Sequence, residues 1–299
     1  MLLLKLVSYT LTVICFNIHL ILSNDVGNGS SPTEGVMHDD RPIIGILSQK
    51  ITEKFTPDVT NDSTYIAASY VKWLEGAGAQ VIPILSTYSK KKVLKLVRSL
   101  NGVVFPGGAA PLDDSNYART ARWIFNEAIR INDFEKRPIP IWGTCLGFEV
   151  LNVLGSGERA DDILTVYDAE DLLLPVDFTK EAFDSRMFKD IEMGLMRKLM
   201  FSKLSLHMHQ AGINPDIYEK NSRIRKMFTV LATNLDKKGK EFVSVIEGNH
   251  FSYHCFLILR LKNVYFINCN NFGKYFQEIC LNKLKKKFFF TMNQVDTIL

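Results

Sequence analysis

Cysteine is scarce: there are five in 299 residues, and one of them, Cys15, lies in an apolar N-terminal stretch. That is too few for a disulfide-built scaffold. The fold must stand on a hydrophobic core, and 46% hydrophobic with 23% charged residues supplies one, as a single large domain or two small ones. This composition excludes a disordered tail or a coiled coil as the whole chain. A basic surface is also missing from most of the sequence. The net charge of +4 arises in residues 249–299, where seven Lys/Arg oppose only Glu278 and Asp296, so residues 1–248 sum to −1. No nucleic-acid partner is expected. There is no internal repeat, and no low-complexity segment precedes residue 249.

Residues 1–23 carry one early cation, Lys5, then an apolar run through Leu11, Ile14, Phe16 and Leu22, closing on Ser23, Asn24 and Asp25. This reads as a secretory signal peptide. An uncleaved anchor is the alternative, because the run is nearly long enough to cross a bilayer. Either reading puts the body on the lumenal or outer side, and after signal removal no stable membrane insertion is expected. Two sequons, at Asn28 and Asn61, fit that address, although so short a triplet also arises by chance. Residues 24–40 are polar and glycine-bearing, as in a flexible leader.

From Arg41 short β-type apolar runs alternate with helical patterns, which implies a doubly wound α/β fold with a mostly parallel sheet and helices on both faces. Strands are expected at 43–47, 80–85, 102–105 and 138–143. Helices are expected where Ala67, Tyr70, Val71 and Leu74 share a face, over about 89–100, along Tyr117 to Ala128, and over 148–154. Past Gly155 the segments 163–167, 172–178 and 242–246 read as an antiparallel extension.

In such a sheet, ligands bind beyond the carboxyl ends of the strands, where loops and helix N-termini aim backbone donors at one crevice. Gly143-Thr144-Cys145-Leu146-Gly147 falls there with the spacing of a nucleophile elbow. A helix N-terminus favours thiolate, making Cys145 a candidate nucleophile. The bland alternative is an inert buried thiol at a tight turn. The neighbouring strand ends at Pro106-Gly107-Gly108, whose amides, with that of Leu146, could form an oxyanion hole. A glycine pair alone can equally be just a turn.

These residues resemble the gamma-glutamyl hydrolase (folate polyglutamate hydrolase) family, with its class I glutamine amidotransferase-like, flavodoxin-like fold. The likeness runs through Arg41 to Ile46, Tyr65 to Lys72, Glu75 to Ala79, Gly102 to Gly108 and Pro140 to Glu149, most specifically in Trp-Gly-Thr-Cys-Leu-Gly-Phe-Glu. Weaker matches are His209, Gly212 to Pro215, Phe228 to Asn234, Glu241 to Ser244 and Glu247-Gly248. The resemblance covers about residues 41–248. It implies cleavage of gamma-linked glutamates from folylpoly-gamma-glutamates through a thioester on Cys145, in the lysosome or after secretion, with no cofactor. Gly108 and Leu146 carry over as oxyanion donors, Gly107 and His209 as substrate-binding residues. For His209 the alternative is an ordinary surface or loop histidine. The pair His207 and His209 is expected to diverge across a strand, and with no carboxylate to complete a site, no metal is expected. A homodimer is left open. Two competing readings keep the same elbow: a glutamine amidotransferase domain, which the signal peptide opposes, and a non-catalytic protein that binds gamma-glutamate or folate.

One departure stands out. The family's general base is a histidine in a Trp-His-Pro-Glu segment soon after Glu247-Gly248, and this chain has none. His254 and His250 are the nearest substitutes. Residues 249–299 are rich in Phe, Lys and Asn, including Lys285 to Phe290, and read as translated intron or a shifted frame that replaces the last strand and helix. The competing reading is a diverged tail with strands at 256–261 and 264–268. The Lys-Phe run lacks a helical amphipathic period, so it reads as an aggregation-prone cluster rather than a membrane-surface segment.

Overall fold

The computed structural model describes residues 41–51, 63–137, 139–249 and 257–259. The signal segment, the leader, both sequon asparagines, His250, His254 and most of the tail lie outside the described residues.

The strands in the first half are β1 (Ile43–Leu47), β2 (Gln49–Lys50), β3 (Thr64–Tyr65), β4 (Gln80–Ile84), β5 (Gly102–Phe105) and β6 (Ile141–Gly143). Later come β7 (Leu164–Leu174), β8 (Asp177–Phe178), β9 (Ser205–Ile213), β10 (Phe228–Leu235), β11 (Glu241–Gly248) and β12 (Leu257–Leu259). The main sheet runs β4-β1-β5-β6-β12-β11-β10-β8. Its β4, β1, β5, β6 and β12 are mutually parallel, while β12, β11, β10 and β8 pair antiparallel. A separate antiparallel ladder joins β7 to β9, and a short one joins β2 to β3.

Alternation along the parallel strands divides the core between two faces. Ile44, Ile46, Val104 and Trp142 pack on one side with Leu74 of the helix α1 (Ala68–Gly76). Leu47, Val103, Phe105 and Ile141 pack on the other with α2 (Lys90–Ser99), α3 (Asn116–Arg130) and α4 (Leu146–Ser156). The helices start where polar caps allow. Ser89 Oγ accepts the Lys92 N–H at 3.4 Å, and Ser115 Oγ accepts the Ala118 N–H at 3.0 Å, each satisfying a donor that has no intrahelical acceptor. Val93, Leu96 and Val97 then face inward while Lys90, Lys91 and Lys92 stay exposed.

The parallel half thus follows the expected order, with β1 and β5 at their expected bounds and the other strand and helix ends shifted by up to three residues. The antiparallel extension is larger than its sequence signals suggest, because β9 and β10 carry His, Gln, Thr and Asn among their apolar residues. On α1 only Leu74 of the expected face is fully buried. Tyr70 is half-buried: its ring packs against the core while its hydroxyl reaches the backbone that follows β5. Beyond the stretch read as the domain, residues 257–259 form β12 between β6 and β11, within the segment that the diverged-tail reading makes a strand.

Candidate active site

β6 ends at Gly143, and two residues later Cys145 sits at φ 55°, ψ −110°, immediately before α4. A non-glycine residue held there costs about 1–3 kcal/mol and persists only where its surroundings impose it. The imposing contacts are visible. Thr144 N–H donates to the Phe105 carbonyl at 3.0 Å, Gly147 N–H donates to the Thr144 carbonyl at 2.9 Å, and Trp142 Nε1–H donates to Thr144 Oγ1 at 2.8 Å. Strand and helix approach so closely that a Cβ on Gly147 would stand 2.0 Å from the Phe105 carbonyl oxygen, and one on Gly143 2.5 Å from that of Gly147. Only glycine fits at either place.

Cys145 is buried, 8% exposed, a little less deeply than Phe148 and Val150 in the following turn, which are 0% exposed. Its Sγ lies 3.8 Å from His209 Nδ1. His209 sits on β9 and is 3% exposed, so it is neither a surface nor a loop residue. His207, on the same strand, shares a 2.9 Å hydrogen bond between its Nε2 and Ser205 Oγ. The two imidazoles do not diverge as expected: their rings meet edge to face at 5.8 Å, because residues two apart on a strand point to the same side. Among the described residues there is no group of three or more His, Cys, Asp or Glu that could hold a metal ion.

Gly107 and Gly108 border the elbow. A Cβ on Gly107 would lie 3.1 Å from Cys145 Cβ, so this backbone runs against the nucleophile candidate. Gly107 N–H donates to the Tyr70 hydroxyl at 2.8 Å, and its carbonyl accepts from Gln49 Nε2 at 2.7 Å. Gln49 fills the space beside the next residue so completely that a Cβ on Gly108 would come within 1.6 Å of Gln49 Oε1. Burial drives the Tyr70 phenol up to about 12, against hydrogen bonds from the Gly107 amide and Thr144 that favour the phenolate, so the hydroxyl stays neutral. Tyr117 adds support below, donating from its hydroxyl to the Pro106 carbonyl at 3.2 Å. Leu146 is the first residue of α4, so no carbonyl within the helix accepts its N–H.

Cys145, Leu146, Gly107, Gly108 and His209 therefore meet at the carboxyl ends of β5 and β6. His250 and His254 lie outside the described residues. Tyr70 and Gln49 belong to the site but escaped sequence reasoning. Gln49 could have been found, since it follows the end of β1 at the same edge of the sheet. Tyr70 could not, since its helical spacing marks it as a core residue.

The family model for Peptidase C26 matches residues 42–247. Over 219 residues the chain is 41% identical to gamma-glutamyl hydrolase of Mus musculus, covering 73% of this chain and 66% of that protein. The Homo sapiens gamma-glutamyl hydrolase is 40% identical over 208 residues, 70% of this chain and 63% of the relative. Gamma-glutamyl hydrolase 1 of Arabidopsis thaliana is 35% identical over 225 residues, 74% and 62% respectively. The matches span a little under two thirds of the length of these relatives. Among solved structures, the glutaminase domain of Trypanosoma brucei CTPS with bound acivicin superposes with a TM-score of 0.52 at 14% identity, covering 83% of this chain and 96% of that one. That likeness is one of fold.

Proposed function

Because this chain belongs to the peptidase C26 family, we propose that it hydrolyses gamma-glutamyl isopeptide bonds in folylpoly-gamma-glutamates, with Cys145 as the nucleophile. The observation that carries this reading is the placement of Cys145: a sulfur at φ 55° on a glycine-flanked bend, against the Gly107-Gly108 backbone, at the carboxyl end of a parallel sheet.

In this reading the thiolate attacks the gamma-carbonyl carbon, and the oxygen that gains charge is met by the N–H groups of Leu146 and Gly108. Each such donor is worth roughly 10²–10³ in rate. Collapse of the tetrahedral species breaks the C–N bond, releases the amine of the departing glutamate and leaves a thioester on Cys145, which water then hydrolyses. Gly107 and His209 border the position of the bound glutamate. No cofactor or metal enters. The signal-like residues 1–23 support an address in the secretory route, ending outside the cell or in the lysosome. Among the described residues no helix is long and apolar enough to cross a membrane.

Incubation of the purified chain with folate pentaglutamate at acidic and neutral pH, beside Cys145→Ala, tests the proposal. Chain shortening that disappears in the variant is expected. A second reading, a protein that binds gamma-glutamate without turnover, is favoured by the lack of a Trp-His-Pro-Glu segment after Gly248. It requires pentaglutamate to bind both proteins and be shortened by neither.

A further inference from the structure

We infer that His209 is the proton-transfer residue of the Cys145 reaction in this chain. The inference rests on the cysteine-hydrolase reading above and deepens it.

Three placements point the same way. His209 Nδ1 is 3.8 Å from Cys145 Sγ, a loose contact of the kind that tightens when substrate closes a site. The ring is 3% exposed on β9, paired through Ala169 of β7, so its aim at the sulfur is set by strand packing rather than by a mobile side chain. His207, the other histidine among the described residues, has its Nε2 on Ser205 Oγ and its ring against Phe242 at 5.2 Å.

The tail histidines, His250 and His254, lie outside the described residues. Glu247 of β11 pairs with Leu257 of β12, and Leu257 stands beside Trp142 of β6. Leu257 and Ile258 thus stand beside the last two residues of β6, and Cys145 follows that strand by two residues.

The chemistry balances with one imidazole. In the free enzyme His209 takes the thiol proton at Nδ1, giving a thiolate–imidazolium pair; the thiolate attacks the carbonyl carbon, and the imidazolium delivers that proton to the leaving nitrogen as the C–N bond breaks. Water then attacks the thioester while His209 takes one of its protons. The C–S bond breaks, and the imidazolium returns the proton to sulfur. The ring of His207 lies against that of His209, and Tyr70 and Tyr117, both raised by burial, stay neutral beside Cys145 and add no charge to the exchange.

Two measurements on the full chain test this. With folate pentaglutamate, His209→Asn is expected to lower kcat by about 10²-fold or more while changing KM little, and imidazole added to His209→Ala is expected to recover part of the rate. Independently of substrate, iodoacetamide alkylation of Cys145 in the wild type should show a reactive shoulder at acidic pH, the mark of a thiolate held by an imidazolium. The shoulder should vanish in His209→Asn and His209→Gln variants whose circular dichroism matches the wild type. A wild type without the shoulder overturns the proposal even if every variant misfolds. So does a folded His209→Asn with unchanged kcat, or a loss confined to His254→Asn. A His209-dependent shoulder without chain shortening upholds the Cys145–His209 exchange and removes the substrate assignment alone.

Discussion

The hydroxyl of Tyr70 accepts the Gly107 N–H at 2.8 Å, which commits that amide and leaves the amide of Gly108 as the one the turn can offer to a substrate oxygen. Gln49 holds the next peptide, donating from Nε2 to the Gly107 carbonyl at 2.7 Å. The loop opposite Cys145 is thus clamped by side chains from α1 and β2, and its accuracy depends on both. Tyr70→Phe deletes the acceptor and leaves a half-buried N–H unsatisfied, at a cost of about 1–3 kcal/mol. Steady-state kinetics on folate pentaglutamate should show kcat reduced about tenfold with KM nearly unchanged, the result expected when a transition-state donor is displaced and substrate contacts survive.

The elbow tolerates no side chain at its helical glycine. In Gly147→Ala the new methyl meets the Phe105 carbonyl at 2.0 Å, and since both neighbours are backbone, neither strand nor helix can yield cheaply. Urea denaturation should show a loss of about 1–3 kcal/mol or more. Gly76→Ala is the contrasting case: nothing lies within 4 Å of the added methyl, and a helical alanine restricts the unfolded chain, so stability should rise by about 0.4–1 kcal/mol.

Acid sensitivity is built into the contact between α2 and α3. The Glu127 carboxylate, 7% exposed, accepts from Arg130 Nη2 at 2.8 Å and from Arg98 Nε at 2.7 Å. The Arg130 hydrogen bond, opposed by burial and aided by Arg98, holds Glu127 below its ordinary value. A depressed carboxyl stabilises the fold above its unfolded pKa and loses that contribution as pH falls through the folded one. Glu127→Gln should therefore be less stable than the wild type at neutral pH, and the two should converge as pH falls below the ordinary glutamate range and through the depressed folded value. Both arginines are partly in solvent, so the difference stays modest, about 1 kcal/mol or less. Thermal melts across pH 3–7 would show parallel curves if the ion pairs contributed nothing.

The strands of the parallel half were legible because burial on both faces gives continuous apolar runs such as Ile43-Ile44-Gly45-Ile46-Leu47 and Gly102-Val103-Val104-Phe105. The elbow was legible for a related reason: two glycines four apart around a cysteine are demanded by backbone crowding, a constraint that acts between neighbours in the chain. β9 was left open between strand and loop because Ser205-Leu206-His207-Met208-His209-Gln210 turns polar groups inward, which hydrophobic periodicity does not register. The expected divergence of His207 and His209 failed on the two-residue repeat of a strand, which puts both on one side. Tyr70, Gln49 and the approach of His209 to Cys145 depend on residues 37, 58 and 64 positions apart in sequence, and no local pattern encodes such pairings.

Hydrophobic spacing and backbone sterics, which act over a few residues, were enough to settle the α/β layering, the bend at Cys145 and the kinship carried by Trp142 to Glu149. Which imidazole faces the sulfur, which amide is left to face a substrate, and where residues 257–259 enter the sheet were settled by packing between distant segments. The reason is physical: a side chain's partner is whichever group the folded backbone brings within hydrogen-bonding reach, and that distance exists only once the sheet has been assembled.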